Sequence, residues 1–379
     1  MEKLGTDIVE NILRRLPFET ALEAKLVCKT WRILLLRKVG FLVTFLHSDI
    51  KKDKLCYSDL YDHIRGKMSY KYSYHRHDKM HGKFFLGYGY LENMLGSCNG
   101  LVCFERRCLY LGEPFLICNP FTGEVVYVPE PQSVKRGWGP TNISGFGYCL
   151  SINEYKIVRM YSDYIDPKKY HVQVYTVRSD EWRNIGSINI APCYPAGTYA
   201  NGLLYWLHRH NSNQLNEDYM IVAFDLEKEN FQFIPLPRFK DVKCKYHLKL
   251  LGGNNLYLVC TIYDKLYCTD IWACRRKHIN TACKTKGSYN YNHSWHWIKE
   301  FTIAWEEQYW RYLQYFESLA ITRNNQFLLR YSSTTLLFYD LETSTLNTLL
   351  DGSGKGCNMI NIIPHTNSTI LIEGSRRQS

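Results

Sequence analysis

An α+β multidomain chain, with a short all-α module ahead of an all-β propeller, is predicted by three features of the sequence. Apolar residues recur at helical spacing only from Leu4 to Leu36, and from Phe41 onward the pattern alternates with period two. Between Gly96 and the last residues one hairpin-pair unit then recurs at about 50 residues, the period of kelch-type blades. Composition agrees, since 15% of the residues are aromatic and 30 are tyrosine, side chains that fit half-buried pleated strands.

In the helical stretch Ile8, Ile12 and Leu16 fall at i, i+4 and i+8, with Val9 and Leu13 beside them, which makes a wide apolar stripe. Asp7 with Glu10 is the expected cap, and Pro17 ends the helix. Thr20 with Glu23 caps a second helix, on which Leu22, Leu26 and Val27 share a face that Cys28, Trp31, Leu34 and Leu35 extend. A module of about 33 residues cannot close a large core, so this surface must pack on the rest of the chain or on a partner.

The repeated unit has two halves. The first ends in a strand, as in GSCNGLVCFE (96–105), GTYANGLLYWLHR (197–209), LLGGNNLYLVCTI (250–262) and LAITRNNQFLLRY (319–331). The second is a strand, a polar turn and a strand, with anchors at Tyr127, Trp182, Phe231, Trp297 and Leu346. Five units are complete. Residues 359–372 and 41–60 supply strands for a sixth, and pairing them would close the ring and remove its exposed edges. Six blades are therefore preferred, with seven or an open sandwich as the fallbacks, and domains at 1–40 and 41–379. The longer interval before Trp297 locates an insertion around Arg275–Ser294.

DIVENILRRLP followed by LVCKTW resembles an F-box, with matches at Asp7, Ile8, Val9, Ile12, Leu13, Arg15, Leu16, Pro17, Val27, Cys28, Lys29 and Trp31. Gly5 stands where that family usually opens with proline, and Ala24 where a larger residue is common. GSCNGLVCF, ICNPFTGEVVYVP, GFGYCLSINEYKIVRMY, WRNIG, NGLLYWL and VAFDLEKENFQFIPLP resemble the F-box-associated domain of the large plant F-box family. The resemblance implies a non-catalytic substrate-recognition subunit of a Skp–cullin–F-box ubiquitin ligase, without cofactor. Ile8, Ile12, Leu13, Leu16, Pro17, Leu26, Val27 and Trp31 would dock on a Skp-type adaptor and, through it, on the cullin scaffold. The propeller would hold an unidentified protein target for ubiquitination and degradation.

Target-binding residues are expected on long polar loops, where binding groups commonly sit. These are Gln132–Asn142 with Arg136 and Trp138, Ser162–Lys169 with Tyr164 and Lys168, Arg209–Asp218 with Arg209 and His210, and Arg275–Ser294 with Arg275 and Arg276. A propeller enzyme or carbohydrate-binding protein is the alternative, and it needs titratable groups converging on the ring axis. No His, Asp or Glu repeats at equivalent blade positions. Nucleic-acid binding is a weaker alternative, resting on a net charge of +11 and the basic, tyrosine-rich segment His63–Lys83. That segment reads better as a solvated loop.

Other chemistries find little support. Cys268, Cys274, His278 and Cys283 lack the paired spacing of a structural zinc site, and no metal is expected. Ser97-Cys98-Asn99-Gly100 reads as a turn rather than a nucleophile, because Asn-Gly recurs at Asn201-Gly202. Gly145-Phe146-Gly147 and Gly352–Gly356 read as blade turns rather than phosphate loops. Met1–Thr6 runs into an amphipathic helix rather than an apolar leader, and no stretch is long and apolar enough to cross a membrane. The 14 cysteines, many inside hydrophobic runs, read as free thiols of a protein of the cytoplasm, the nucleus or both.

Overall fold

The computed structural model describes positions 5, 8, 9, 12, 13, 27, 28 and 31 of the helical stretch and, from 39 to 372, the strands with their adjoining turns. Segments 60–73, 76–93, 106–114, 130–141, 210–218 and 277–294 lie outside the described residues.

The described strands form six four-stranded antiparallel sheets. Blade 1 holds β1 (Val39–His47), β2 (Lys54–Asp59), β3 (Tyr74–His75) and, at its inner edge, β24 (Cys357–Thr366). Blade 2 is β4 (Met94–Cys98), β5 (Leu101–Phe104), β6 (Leu116–Asn119) and β7 (Glu124–Tyr127). Blade 3 is β8 (Asn142–Cys149), β9 (Glu154–Ser162), β10 (Lys169–Thr176) and β11 (Glu181–Asn189). Blade 4 is β12 (Thr198–Ala200), β13 (Leu203–Arg209), β14 (Tyr219–Asp225) and β15 (Asn230–Pro235). Blade 5 is β16 (Cys244–Leu251), β17 (Asn255–Ile262), β18 (Cys268–Arg276) and β19 (Trp295–Ala304). Blade 6 is β20 (Glu317–Ile321), β21 (Gln326–Arg330), β22 (Thr335–Asp340) and β23 (Thr345–Asp351).

The inner strands β24, β4, β8, β12, β16 and β20 touch one another in that order, and β20 touches β24, so the ring is closed. Closure uses the two ends expected from the sequence, with Val43 opposite Ile362 and Phe41 opposite Pro364. Successive blades share apolar cores. One joins Ile117 and Cys103 to Phe146 and Ile157, and another joins Val158 and Val174 to Trp206 and Phe224. Two outer-strand tryptophans add cross-links: the Trp182 indole donates to the Pro129 carbonyl at 2.7 Å, and that of Trp297 to the Pro235 carbonyl at 2.8 Å. Between blades 3 and 4, Glu229 accepts from Lys156 at 2.8 Å and from the Arg183 guanidinium at 2.6 Å.

A strap continues past β24 onto blade 2. The Asn119 amide donates to the carbonyls of Ser368 and Ile370, both at 2.9 Å, and Ile372 is buried in the core between blades 2 and 3. At Gly100, φ is +88°, and a Cβ there would fall 2.2 Å from that of Ser368. Asn99-Gly100 and Asn201-Gly202 both have positive φ, as the expected turns require.

Three expectations are corrected. Gly145-Phe146-Gly147 is no turn but the middle of β8, where side chains of blade 4 occupy the space that Cβ atoms would need. At the start of the first helix the Gly5 carbonyl accepts from the amides of Ile8 and Val9 at 3.0 and 3.2 Å, and Asp7, the expected cap, lies outside the described residues. Tyr74 and His75, read as loop, pair with β2 as the fourth strand of blade 1. Arg275 and Arg276, read as the start of an insertion, lie in β18 opposite His296 and Trp295.

Candidate functional site

Inner strands of five blades enclose a cavity of about 490 Å³ on the ring axis. Its charged wall comes from β16, where side chains alternate sides as in any strand. Tyr246 and Leu248 pack into the core shared with blade 4, while Lys245, His247 and Lys249 lie on the other face and line the cavity. Glu317, at the start of β20, meets this face: Lys249 Nζ is 2.9 Å from Glu317 Oε1, and the Arg330 guanidinium holds Oε2. Burial alone would raise the Glu317 carboxyl, but Lys249 and Arg330 outweigh it and hold the group at about 2. His247 is depressed to about 3 by burial and by the neighbouring Lys249 and Lys245, so its ring is neutral at physiological pH. At another edge of the cavity, Ser97 Oγ lies 2.7 Å from His365 Nδ1, joining β4 to β24.

The Glu317 cluster carries a pH signature. A depressed carboxylate contributes stability that is complete above its unfolded value of 4.5 and is lost as pH falls toward about 2. In urea titrations, wild type is expected to exceed Glu317→Gln by roughly 2 kcal/mol near neutrality, the advantage shrinking steadily below pH 4.5. A gap that is constant with pH would contradict the ion-pair account.

In the N-terminal module, Ile8, Ile12 and Val27 are 52%, 45% and 64% exposed. Ile8 and Ile12 are four apart on one helix and so share a face. Leu13, expected on the docking surface, is 1% exposed and belongs to the packing instead. Trp31 is half-buried, and Leu16, Pro17 and Leu26 lie outside the described residues.

Among the described residues, Arg209 does not converge with Arg275 and Arg276, all three expected to bind the target. In each blade, the connection from second to third strand and the step to the next blade share one end of the ring, while the other two turns share the opposite end. Arg209, at the close of the second strand β13, is therefore at the opposite end from Arg275 and Arg276, at the close of the third strand β18. The Arg275 guanidinium is engaged by Glu300 at 2.8 Å. Arg136, Trp138, Tyr164, Lys168 and His210 lie outside the described residues. Cys98, weighed as a nucleophile, is buried in the blade 2 core, and burial pushes its thiol up to about 12. Cys268 and Cys274 lie on β18, the first buried and the second half-buried.

Sequence reasoning missed the basic face of β16. Its signal was present, with Lys245, His247 and Lys249 alternating with Tyr246, Leu248 and Leu250.

Comparison with known proteins bears on both regions. Residues 1–39 match the family model of the F-box domain, and residues 42–253 match that of the F-box associated beta propeller domain. F-box protein At3g07870 of Arabidopsis thaliana is 25% identical over 396 residues, covering 92% of this chain and 88% of that protein. F-box/kelch-repeat protein At3g23880 of the same plant is 25% identical over 286 residues, covering 71% of this chain and 74% of the relative.

Proposed function

The chain belongs to the plant F-box proteins that carry an F-box-associated β-propeller, and on that footing we propose that it is the substrate-recognition subunit of a Skp–cullin–F-box ubiquitin ligase. The observation that carries this reading is the exposed pair Ile8 and Ile12, an apolar face on a module too small to bury it. With Val27, and with Leu16, Pro17, Leu26 and Trp31 from the motif, this face is the docking surface for a Skp-type adaptor, and through the adaptor for the cullin. The propeller holds a protein target. Such a subunit makes and breaks no bond itself; tethering raises the effective concentration of target lysines beside the charged conjugating enzyme. It works in the cytoplasm, the nucleus or both.

The test is co-purification with a Skp-type adaptor. Ile8→Asp combined with Ile12→Asp places two carboxylates in an apolar interface and is expected to weaken capture by about 100-fold or more, with the far-ultraviolet circular dichroism of the propeller unchanged. Wild-type yields of adaptor and cullin on the double variant would overturn the assignment.

A further inference from the structure

Blade 5 gathers thiols at one end of one face. β16 and β17 pair with Cys244 opposite Ile262 and Tyr246 opposite Cys260, and β17 and β18 pair with Ile262 opposite Cys268. Residues directly opposite in a sheet share a face, as do residues two apart on one strand. Cys244, Cys260 and Cys268 therefore all belong to the core between blades 4 and 5. Cys260 is the centre of the group and the diagonal neighbour of both others. Cys260 and Cys268 are buried, whereas Cys244 is half-buried, so a reagent from water reaches the group through Cys244. We propose that Cys244 and Cys260 form an oxidisable dithiol, which a hydroperoxide converts to a disulfide between β16 and β17.

The two sulfurs are already in contact and differ in role. The Cys260 thiol donates a hydrogen bond to the Cys244 sulfur and, with a second from the Tyr246 hydroxyl, holds the Cys244 thiol below its ordinary range although burial opposes it. The same bond, together with burial, pushes Cys260 up. Cys244 is thus the nucleophile and Cys260 the resolving thiol. In the first step the Cys244 thiolate attacks the terminal oxygen of the hydroperoxide. An S–O bond forms, the O–O bond breaks, and the leaving oxygen takes the thiol proton and departs as water or an alcohol. Sulfur is oxidised to a sulfenic acid and the peroxide is reduced. In the second step the Cys260 sulfur attacks the Cys244 sulfur. An S–S bond forms, the S–O bond breaks, and the hydroxyl leaves as water with the Cys260 proton. Diagonal partners stand wider than the usual Cα spacing of a disulfide, so one side has to move. Cys244 is the first residue of β16, where only one side of the residue continues into the ladder, and it supplies that freedom. The bond fastens the start of an inner strand whose other face lines the axial cavity. The inference goes beyond the receptor assignment and does not depend on it, because the dithiol stands whether or not an adaptor binds.

Peptide mapping by mass spectrometry tests it on the full chain, after hydrogen peroxide treatment and blocking of the remaining thiols. The expected product is a Cys244–Cys260 cross-linked peptide that dithiothreitol removes. In Cys260→Ser the oxidation should stop at a Cys244 sulfenic acid captured by dimedone, and in Cys244→Ser the cross-link should be lost with Cys260 still reduced. Under reducing conditions, Cys260→Ala should slow alkylation of Cys244 by iodoacetamide roughly 3–10-fold, the effect of one lost hydrogen bond to the thiolate. Cys260→Ser keeps a hydroxyl donor and should restore most of that rate. A role in packing alone would loosen the core in both variants and speed the reaction in both. If the Cys260 variants misfold, the cross-linked peptide of wild type decides by itself. A Cys260–Cys268 cross-link in its place, oxidation of Cys244 in wild type without a cross-link, or a Cys244 left unmodified overturns the proposal.

Discussion

Ending the chain at Asp351, ahead of β24, is expected to leave a protein with no cooperative unfolding transition. β24 is the inner strand of blade 1, pairing with β1 from Val39 to His47 and touching the inner strands of blades 2 and 6. Its loss strips β1 of one neighbour and opens the ring at the axis, leaving unpaired edges that aggregate. A milder cut separates closure from the strap. Ending the chain after Thr366 keeps β24 but loses the burial of Ile372 and the two bonds from Asn119. The apolar loss is about 2 kcal/mol and each hydrogen bond adds about 1 kcal/mol, so a fall of roughly 3–4 kcal/mol with a sharp transition is expected in urea. Equal, two-state unfolding of both truncations and wild type would show that β24 does not close the ring.

Trp206→Ala is expected to cost about 3–5 kcal/mol, a large share of the stability of an ordinary domain. Trp206 is buried on β13, where its indole donates to the Ser144 carbonyl at 3.4 Å and packs in the core between blades 3 and 4. Two glycines make its place: a Cβ on Gly145 would come to 2.9 Å from the ring, and one on Gly197 to 2.7 Å. Gly197→Val should therefore be damaging with Trp206 present, and less so in the Trp206→Ala background, where the added methyl groups enter vacated space. Additive effects of the two substitutions would contradict that packing.

The glycines show where sequence reading succeeds and where it stops. Asn99-Gly100 and Asn201-Gly202 were legible as turns because the local backbone conformation itself demands those residues. Gly145 and Gly147 were not, because the demand comes from Trp206 and Tyr199 on another blade, more than fifty residues away. The outer hairpins and the closing pair were readable from alternation alone. The basic face of β16 was hidden by that same alternation, since charged residues opposite apolar ones ordinarily mark the solvent side. Only ring closure turns that face toward an axis. In the helical module the apolar stripe was legible, but it could not say that Leu13 points inward while Ile8 and Ile12 stay outside.

The pairing of β1 with β24 also sets an order in time. Val39 and Thr366 are register partners at nearly opposite ends of the chain, so during synthesis β1 waits without its inner neighbour while five other blades emerge. Those blades are built from local hairpins, each of which can form as soon as its own strands leave the ribosome. Blade 1 cannot, and the nascent ring carries an open seam until the final strand is released. The axis therefore exists as an enclosed space only after β24 has been made and has paired with β1.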